Sequence, residues 1–253
     1  MSEMPLSNAM DAYNELLGIL KDIAMMDQVR SLLGWDQEVL MPPKAAELRG
    51  EQIAWISRES HKRKTSHRVG ELLDELEERV DLGDIESANV RLAREAYDKA
   101  TRLPTGFVSE LAKHNSKSLI SWTEARRNND FSMFRDDLSK SIEFARKKAD
   151  YLGYEDLRYD ALLDNYESGL TVSRLDPLFE GLRNKVAPLI RSVAERGERP
   201  DISWVTENSW EQMGQERLSQ KVSESIGFDF EAGRRDASTH PFCGGPNPDD
   251  VRS

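Results

Sequence analysis

The sequence predicts an all-α protein, an elongated multi-helix bundle that ends in an irregular or short extended tail. Three observations carry this reading. Apolar residues recur three and four apart from Tyr13 to Ile226, the period of helices that bury one face. No stretch before the tail alternates apolar and polar residues in the period of a strand. Glycine and proline fall mainly at the ends of the periodic stretches, and no fixed-period repeat suggests a solenoid.

The first helix presents Tyr13, Leu16, Leu17, Leu20, Ile23 and Ala24 on one stripe, and Gly34 with Met41–Pro42–Pro43 marks its interruption and exit. A second helix is expected from about Ala45 towards His61. A third follows Ser66 as N-cap and carries Val69, Leu72, Leu73, Leu76 and Val80; a fourth uses Ile85, Ala88, Leu92, Ala96 and Ala100. Pro104 opens a fifth, with Phe107, Leu111, His114, Ser118 and Trp122 on one side. Asp130 caps a sixth whose stripe is Phe134, Leu138, Ile142, Ala145, Ala149 and Leu152, and Gly153 stands at its C′ position. Asp176–Pro177 reads as a cap and first-turn proline leading through Leu178, Leu182, Val186, Leu189 and Val193 to Gly197, with Pro188 inside. A last long helix runs from Ser209 through Leu218, Val222 and Ile226 to Gly227. Only Arg235 to His240 is expected to be extended.

With 253 residues the chain is long enough to bury a substantial core. Its single cysteine, Cys243, excludes an intramolecular disulfide framework and a Cys-rich zinc site, which fits a reducing, cytoplasmic setting. The start lacks the pattern of a secretory signal, and no stretch is apolar enough to span a bilayer, so no membrane is expected as a partner. A net charge of −11 disfavours nucleic acid. The basic run His61–Lys62–Arg63–Lys64 reads as a solvated helix end set against the C-terminal dipole.

Candidate chemistry is sparse over most of the chain. None of the four histidines, His61, His67, His114 and His240, pairs with another at the i, i+4 spacing of a helical zinc site, and there is no HExxH. His114 falls on an apolar face, where a hydrogen-bonded core histidine is the first reading and a ligand the second. No serine sits in a G-x-S-x-G elbow, and there is no G-x-x-x-x-G-K-[ST] phosphate loop. Asp160, Asp164 and Glu167 share a helical face and could form an acid–base pair, but caps and ion pairs explain them more simply. Gly244–Gly245 is a weak turn signal.

The tail differs. His240–Pro241–Phe242 combines a titratable ring, a locked backbone and an aromatic platform, and Asp250–Val251–Arg252 follows. In an extended segment Asp-x-Arg places both charges on one side, where the acid orients a guanidinium able to clamp a carboxylate. A plain surface turn is the competing reading.

These residues resemble the carboxypeptidase Taq-type zinc metallocarboxypeptidases, whose HPF motif matches His240–Pro241–Phe242 and whose Asp-x-Arg-x-Thr motif matches at Asp250 and Arg252. The blocks from Leu33 to Gln52, Trp122 to Phe131 and Lys148 to Thr171 extend the resemblance. It implies the N-terminal part of a larger helical metallopeptidase fold: a cleft-wall and scaffold region over 1–232 and an active-site approach segment over 233–253, truncated before HExxH. It further implies a cytosolic exopeptidase, commonly a homodimer, that removes C-terminal residues from peptides with a zinc-bound water. Under that reading His240, Phe242, Asp250 and Arg252 bind substrate, and catalytic and metal-binding residues lie outside this chain, which is expected to be inactive alone. The alternative expectation is a non-catalytic helical module for dimerisation or peptide binding.

Overall fold

A computed structural model describes residues 9–198, 200–239 and 244–252. The described residues are predominantly helical, with three short strands near the end. They divide into two compact units, one comprising 1–153 with 234–253 and the other 154–233.

The first unit is built on six helices: α1 (Ala9–Val39), α2 (Ala46–Lys64), α3 (His67–Glu77), α4 (Asp84–Thr101), α5 (Thr105–Asn128) and α6 (Ser132–Leu152). Its core lies where α1, α3 and α4 meet: Ala12, Tyr13, Leu16, Val69, Leu72, Leu73, Leu76 and Val90 are all buried there. Tyr13 can be buried because its hydroxyl accepts a hydrogen bond from Asn89 Nδ2 at 2.8 Å. Gly70 lets α3 approach α4, since a Cβ at that position would fall 2.6 Å from the Tyr97 hydroxyl.

Several element boundaries differ from those the sequence predicts. α1 continues through Gly34 to Val39, because one glycine inside a helix costs little and nothing lies within 4 Å of the position a Cβ would take. Ser66 caps α3, accepting from Val69 N at 3.4 Å, but the helix stops at Glu77 and leaves Val80 fully exposed. On α4 the buried face is Val90 with Ala93 and Tyr97, whereas Ile85 and Leu92 face outwards. Both stripes have helical period, and the position of α1 and α3 selects between them. On α6 Phe144 is buried and Ile142 exposed; Asp130 Oδ1 accepts from Ser132 N at 2.9 Å, and Gly153 takes φ 79° at the C-terminus. The carbonyl of Leu152 accepts from Arg102 Nη1 at 2.6 Å, which satisfies one orphan acceptor of that helix end.

The basic end of α2 is only partly solvated. Arg63 and Lys64 reach back to α1 and pair with Asp22 and Asp27, each at 2.7 Å. His61 is buried: Nε2 donates to the Ala100 carbonyl at 3.0 Å, and Nδ1 is hydrogen-bonded to Thr105 Oγ1 at 3.1 Å. The carbonyl can only accept, so Nε2 carries a proton and His61 links α2 to the α4–α5 connection.

The second unit contains α7 (Asp160–Leu163), α8 (Val172–Arg196), α9 (Ser203–Thr206) and α10 (Gln212–Ser225). α8 begins five residues before the Pro177 at which its sequence predicts a start, and it continues through Pro177 and Pro188. Its first turn is secured from outside, as Asp160 Oδ1 accepts from Val172 N at 2.8 Å and satisfies one orphan donor of that helix end. Asp164 likewise accepts from Gly169 N at 2.8 Å. Asp160 and Asp164 are therefore backbone caps, the simpler of their two sequence readings. The helix expected from Ser209 starts at Gln212.

Candidate active site

Three strands, β1 (Gly233–Arg234), β2 (Gly244–Asn247) and β3 (Asp250–Arg252), form a small sheet in the order β1-β3-β2. β2 and β3 are antiparallel, with Gly244 opposite Arg252 and Asn247 opposite Asp250 and a register irregularity between those pairs. Asn247 Oδ1 accepts from Asp249 N at 2.7 Å and closes the turn. Gly245 is required here: a Cβ would meet the Asp250 carbonyl oxygen at 2.5 Å and Val251 Cα at 2.8 Å. The Gly244–Gly245 pair, a turn signal in the sequence, is thus a strand pressed against its neighbour.

On β3 the alternation of side chains brings Asp250 and Arg252 to one side, and Arg252 Nη2 lies 2.5 Å from Asp250 Oδ1. At β1 the mirror-image pattern holds: Arg234 makes a two-pronged contact with Asp236, Nε to Oδ2 at 2.7 Å and Nη2 to Oδ1 at 2.5 Å. Asp236 raises the Arg234 pKa further above its already high ordinary value, so that guanidinium stays charged at any accessible pH. Both arginines converge on one side chain, Trp35 of α1. The guanidinium carbon of Arg252 lies 4.5 Å from the Trp35 ring centroid and that of Arg234 5.1 Å.

The helical support of this cluster is itself interlocked. Arg49 of α2 pairs with Asp36 at 2.6 Å and donates to the Leu33 carbonyl at 2.8 Å, bracketing Trp35 from both sides in sequence. Gln37 exchanges two hydrogen bonds of 2.9 Å with Ser116 of α5. Beside it a cavity of about 230 Å³ is lined by Gln37, Met41, Pro43, Thr123, Arg127 and, from the tail, Thr239. Residues of the Leu33–Gln52 block, the Trp122–Phe131 block and the tail therefore meet at one place.

Of the sequence-predicted site residues, Asp250 and Arg252 come together as an ion pair; His240 and Phe242, with Pro241 and Cys243, lie outside the described residues. The sequence reading missed Trp35, Arg234 and Asp236. A signal for two of them was present, because Arg234-x-Asp236 is the reverse of Asp250-x-Arg252 and places its charges on one side in the same way.

A second polar cluster sits between α5 and α6, where His114, in the wall of a larger groove of about 1170 Å³, contacts Ser141. It is not a nucleophile with its base. Ser141 Oγ donates its one proton to the Asp137 carbonyl at 2.9 Å, so His114 Nε2 is the donor in its 2.9 Å contact with Ser141. His114 stacks on Phe144 at 5.1 Å, and burial, with Lys140 nearby, lowers its pKa. Among the described residues no group of three His, Cys, Asp or Glu side chains is arranged to hold a metal ion. No helix among them is long and apolar enough to cross a membrane.

Residues 15–253 match the family described as carboxypeptidase Taq (M32) metallopeptidase. The chain is similar to carboxypeptidase 1 of Bacillus subtilis, with 36% identity over 94% of this chain and 48% of that protein. It is 34% identical to thermostable carboxypeptidase 1 of Thermus thermophilus over 95% of this chain and 49% of that protein. The crystal structure of BsuCP superposes with a TM-score of 0.92 at 35% identity, covering 96% of this chain and 49% of the other. The chain thus spans about half the length of the curated relatives it matches.

Proposed function

Because the chain belongs to the carboxypeptidase Taq (M32) metallopeptidase family, we propose that it supplies the substrate-cleft wall of a cytoplasmic metallocarboxypeptidase, with 1–232 as scaffold and 233–253 as the approach to the active site. The substrate is a peptide with a free C-terminus. The single observation that supports this most directly is the Asp250–Arg252 pair held on Trp35, an oriented guanidinium beside the segment that continues into His240–Pro241–Phe242. A planar fork of this kind suits a carboxylate better than the point charge of a lysine. His240 and Phe242 are assigned to substrate binding with it.

The metal that the family implies, zinc in our proposal, does not fit the described residues, which contain no suitable cluster. The sequence also lacks HExxH. Metal and general base are therefore assigned to other residues of the catalytic assembly, and this chain by itself binds no stoichiometric zinc and does not turn over peptide. One tightly held zinc per purified chain would overturn that assignment. The alternative, a non-catalytic module for dimerisation or peptide binding, draws on the exposed apolar face of α8.

The deciding experiment joins the chain with the part of the Bacillus subtilis relative that it does not cover and measures release of the last residue from a blocked dipeptide. Arg252→Ala is expected to lower kcat/KM about 10- to 100-fold, the loss of one charge-assisted contact, chiefly through KM. It should also narrow the preference for the free carboxylate over its amidated twin. Equal preference in both proteins would remove Arg252 from carboxylate recognition.

A further inference from the structure

Two arginines stacked on one indole would repel each other unless each had its own counter-charge. That condition is met with unusual symmetry: Arg252 has Asp250 and Arg234 has Asp236, each two residues away on its own segment. What holds the group together is then the stacking itself. Trp35 is 8% exposed and the Arg252 side chain 19%, so the Arg252 contact is largely shielded from water, whereas Arg234 is half exposed. Both Trp35 Nε1 and Arg252 Nε are buried without a hydrogen-bond partner among the described residues. Neither side chain is therefore held by a hydrogen bond at those atoms. For Arg252 the constraints are the ring face beneath the guanidinium and the Asp250 oxygen at one Nη.

We propose that Trp35 is a positioning residue for Arg252, and that the indole face and Asp250 together set the plane in which the guanidinium meets a substrate carboxylate. Asp250 alone leaves the guanidinium free to rotate about the contact, and the ring alone leaves it free to slide. Together they leave one orientation, which is the preorganisation that bidentate carboxylate recognition needs. Arg234 shares the ring but is held by its own Asp236 on the other segment of the sheet, so it fixes neither the Asp250 contact nor the seat of the indole on α1. The inference rests on the proposed role of Arg252, and its test separates the two.

The test uses the chain with ¹⁵N-labelled arginine, following the Nε–Hε resonances, with Arg252→Lys supplying the assignment. In the wild type the Arg252 Hε signal is expected upfield, shifted by the indole ring current, and slow to exchange with solvent. Trp35→Leu should abolish both effects. Trp35→Phe should retain slow exchange with a smaller upfield shift, and Arg234→Gln should leave both in place. Titration with a blocked dipeptide and its amide adds the functional readout. Trp35→Leu is expected to reduce the preference for the free carboxylate at least tenfold, and Trp35→Phe to restore most of it. An Arg252 Hε signal unchanged in Trp35→Leu, or a Trp35→Phe that behaves as Trp35→Leu does, would overturn the inference. If the wild type binds both peptides alike while Trp35→Leu still releases the Arg252 signal, the carboxylate reading fails and the positioning stands.

Discussion

His114 shows how a single proton can be read from its neighbours. Ser141 has already given its hydrogen to Asp137, so the imidazole carries a proton on Nε2, and burial first, with Lys140 nearby, lowers its pKa from the ordinary 6.5. A base whose pKa is depressed by folding contributes stability above its unfolded pKa. That contribution is lost as pH falls from 6.5 through the folded value. Urea midpoints at pH 8 and pH 5 should therefore differ more for the wild type than for His114→Gln; parallel behaviour would show that His114 takes up its proton without penalty. The sequence made His114 legible as a core histidine because its apolar neighbours repeat at helical spacing. His61 was illegible for the opposite reason: Lys62, Arg63 and Lys64 surround it in sequence, and the Ala100 and Thr105 partners that justify its burial come from a distant segment. Trp35 escaped notice likewise, since an indole inside a helix announces burial but not what stacks on it.

At the scale of elements, local signals served where the deciding partner was local. Ser66 capping α3 is such a case, and Ser66→Ala is expected to cost about 1 kcal/mol in chemical denaturation. A cost near zero would mean that solvent replaces the cap. Gly34 is the converse, an apparent break that the rest of α1 overrides. With open space at its Cβ position, Gly34→Ala should stabilise the chain by about 0.5–1 kcal/mol, and a lowered Tm would reveal a close approach to that backbone. The α4 stripe failed because two helical registers were equally apolar. Only the placement of Leu72, Leu73 and Leu76 on α3 made Val90 the inward one. Leu73, with no exposed surface, should cost about 2–5 kcal/mol on truncation to alanine.

For the whole molecule, the informative feature is the contrast between its two units. The first closes a core of fully buried leucines, while in the second Leu178, Leu182, Val186, Leu189 and Val193 of α8 remain 41–62% exposed along one face. Isolated apolar residues at a surface are ordinary, but a continuous helical stripe favours association. Sedimentation of the purified chain should show concentration-dependent self-association that Leu182→Gln with Leu189→Gln suppresses without loss of helical signal. A monomer at every concentration would mean that the stripe is tolerated in water. The α8 stripe was plain in the sequence; its exposure was not, since periodicity marks a face as apolar without saying what covers it. The Trp35 cluster has a further consequence, in time. Arg252 is synthesised well after Trp35, and at a synthesis rate of about 5–20 residues per second roughly 10–40 s separate them. Through that interval the indole face waits without its guanidinium partners, so the helices that carry it are expected to fold before the sheet forms. A ribosome stalled beyond Arg252 but before the strand clears the exit tunnel should carry helices α1 to α6 already protected and the Trp35 ring still open to a solvent quencher.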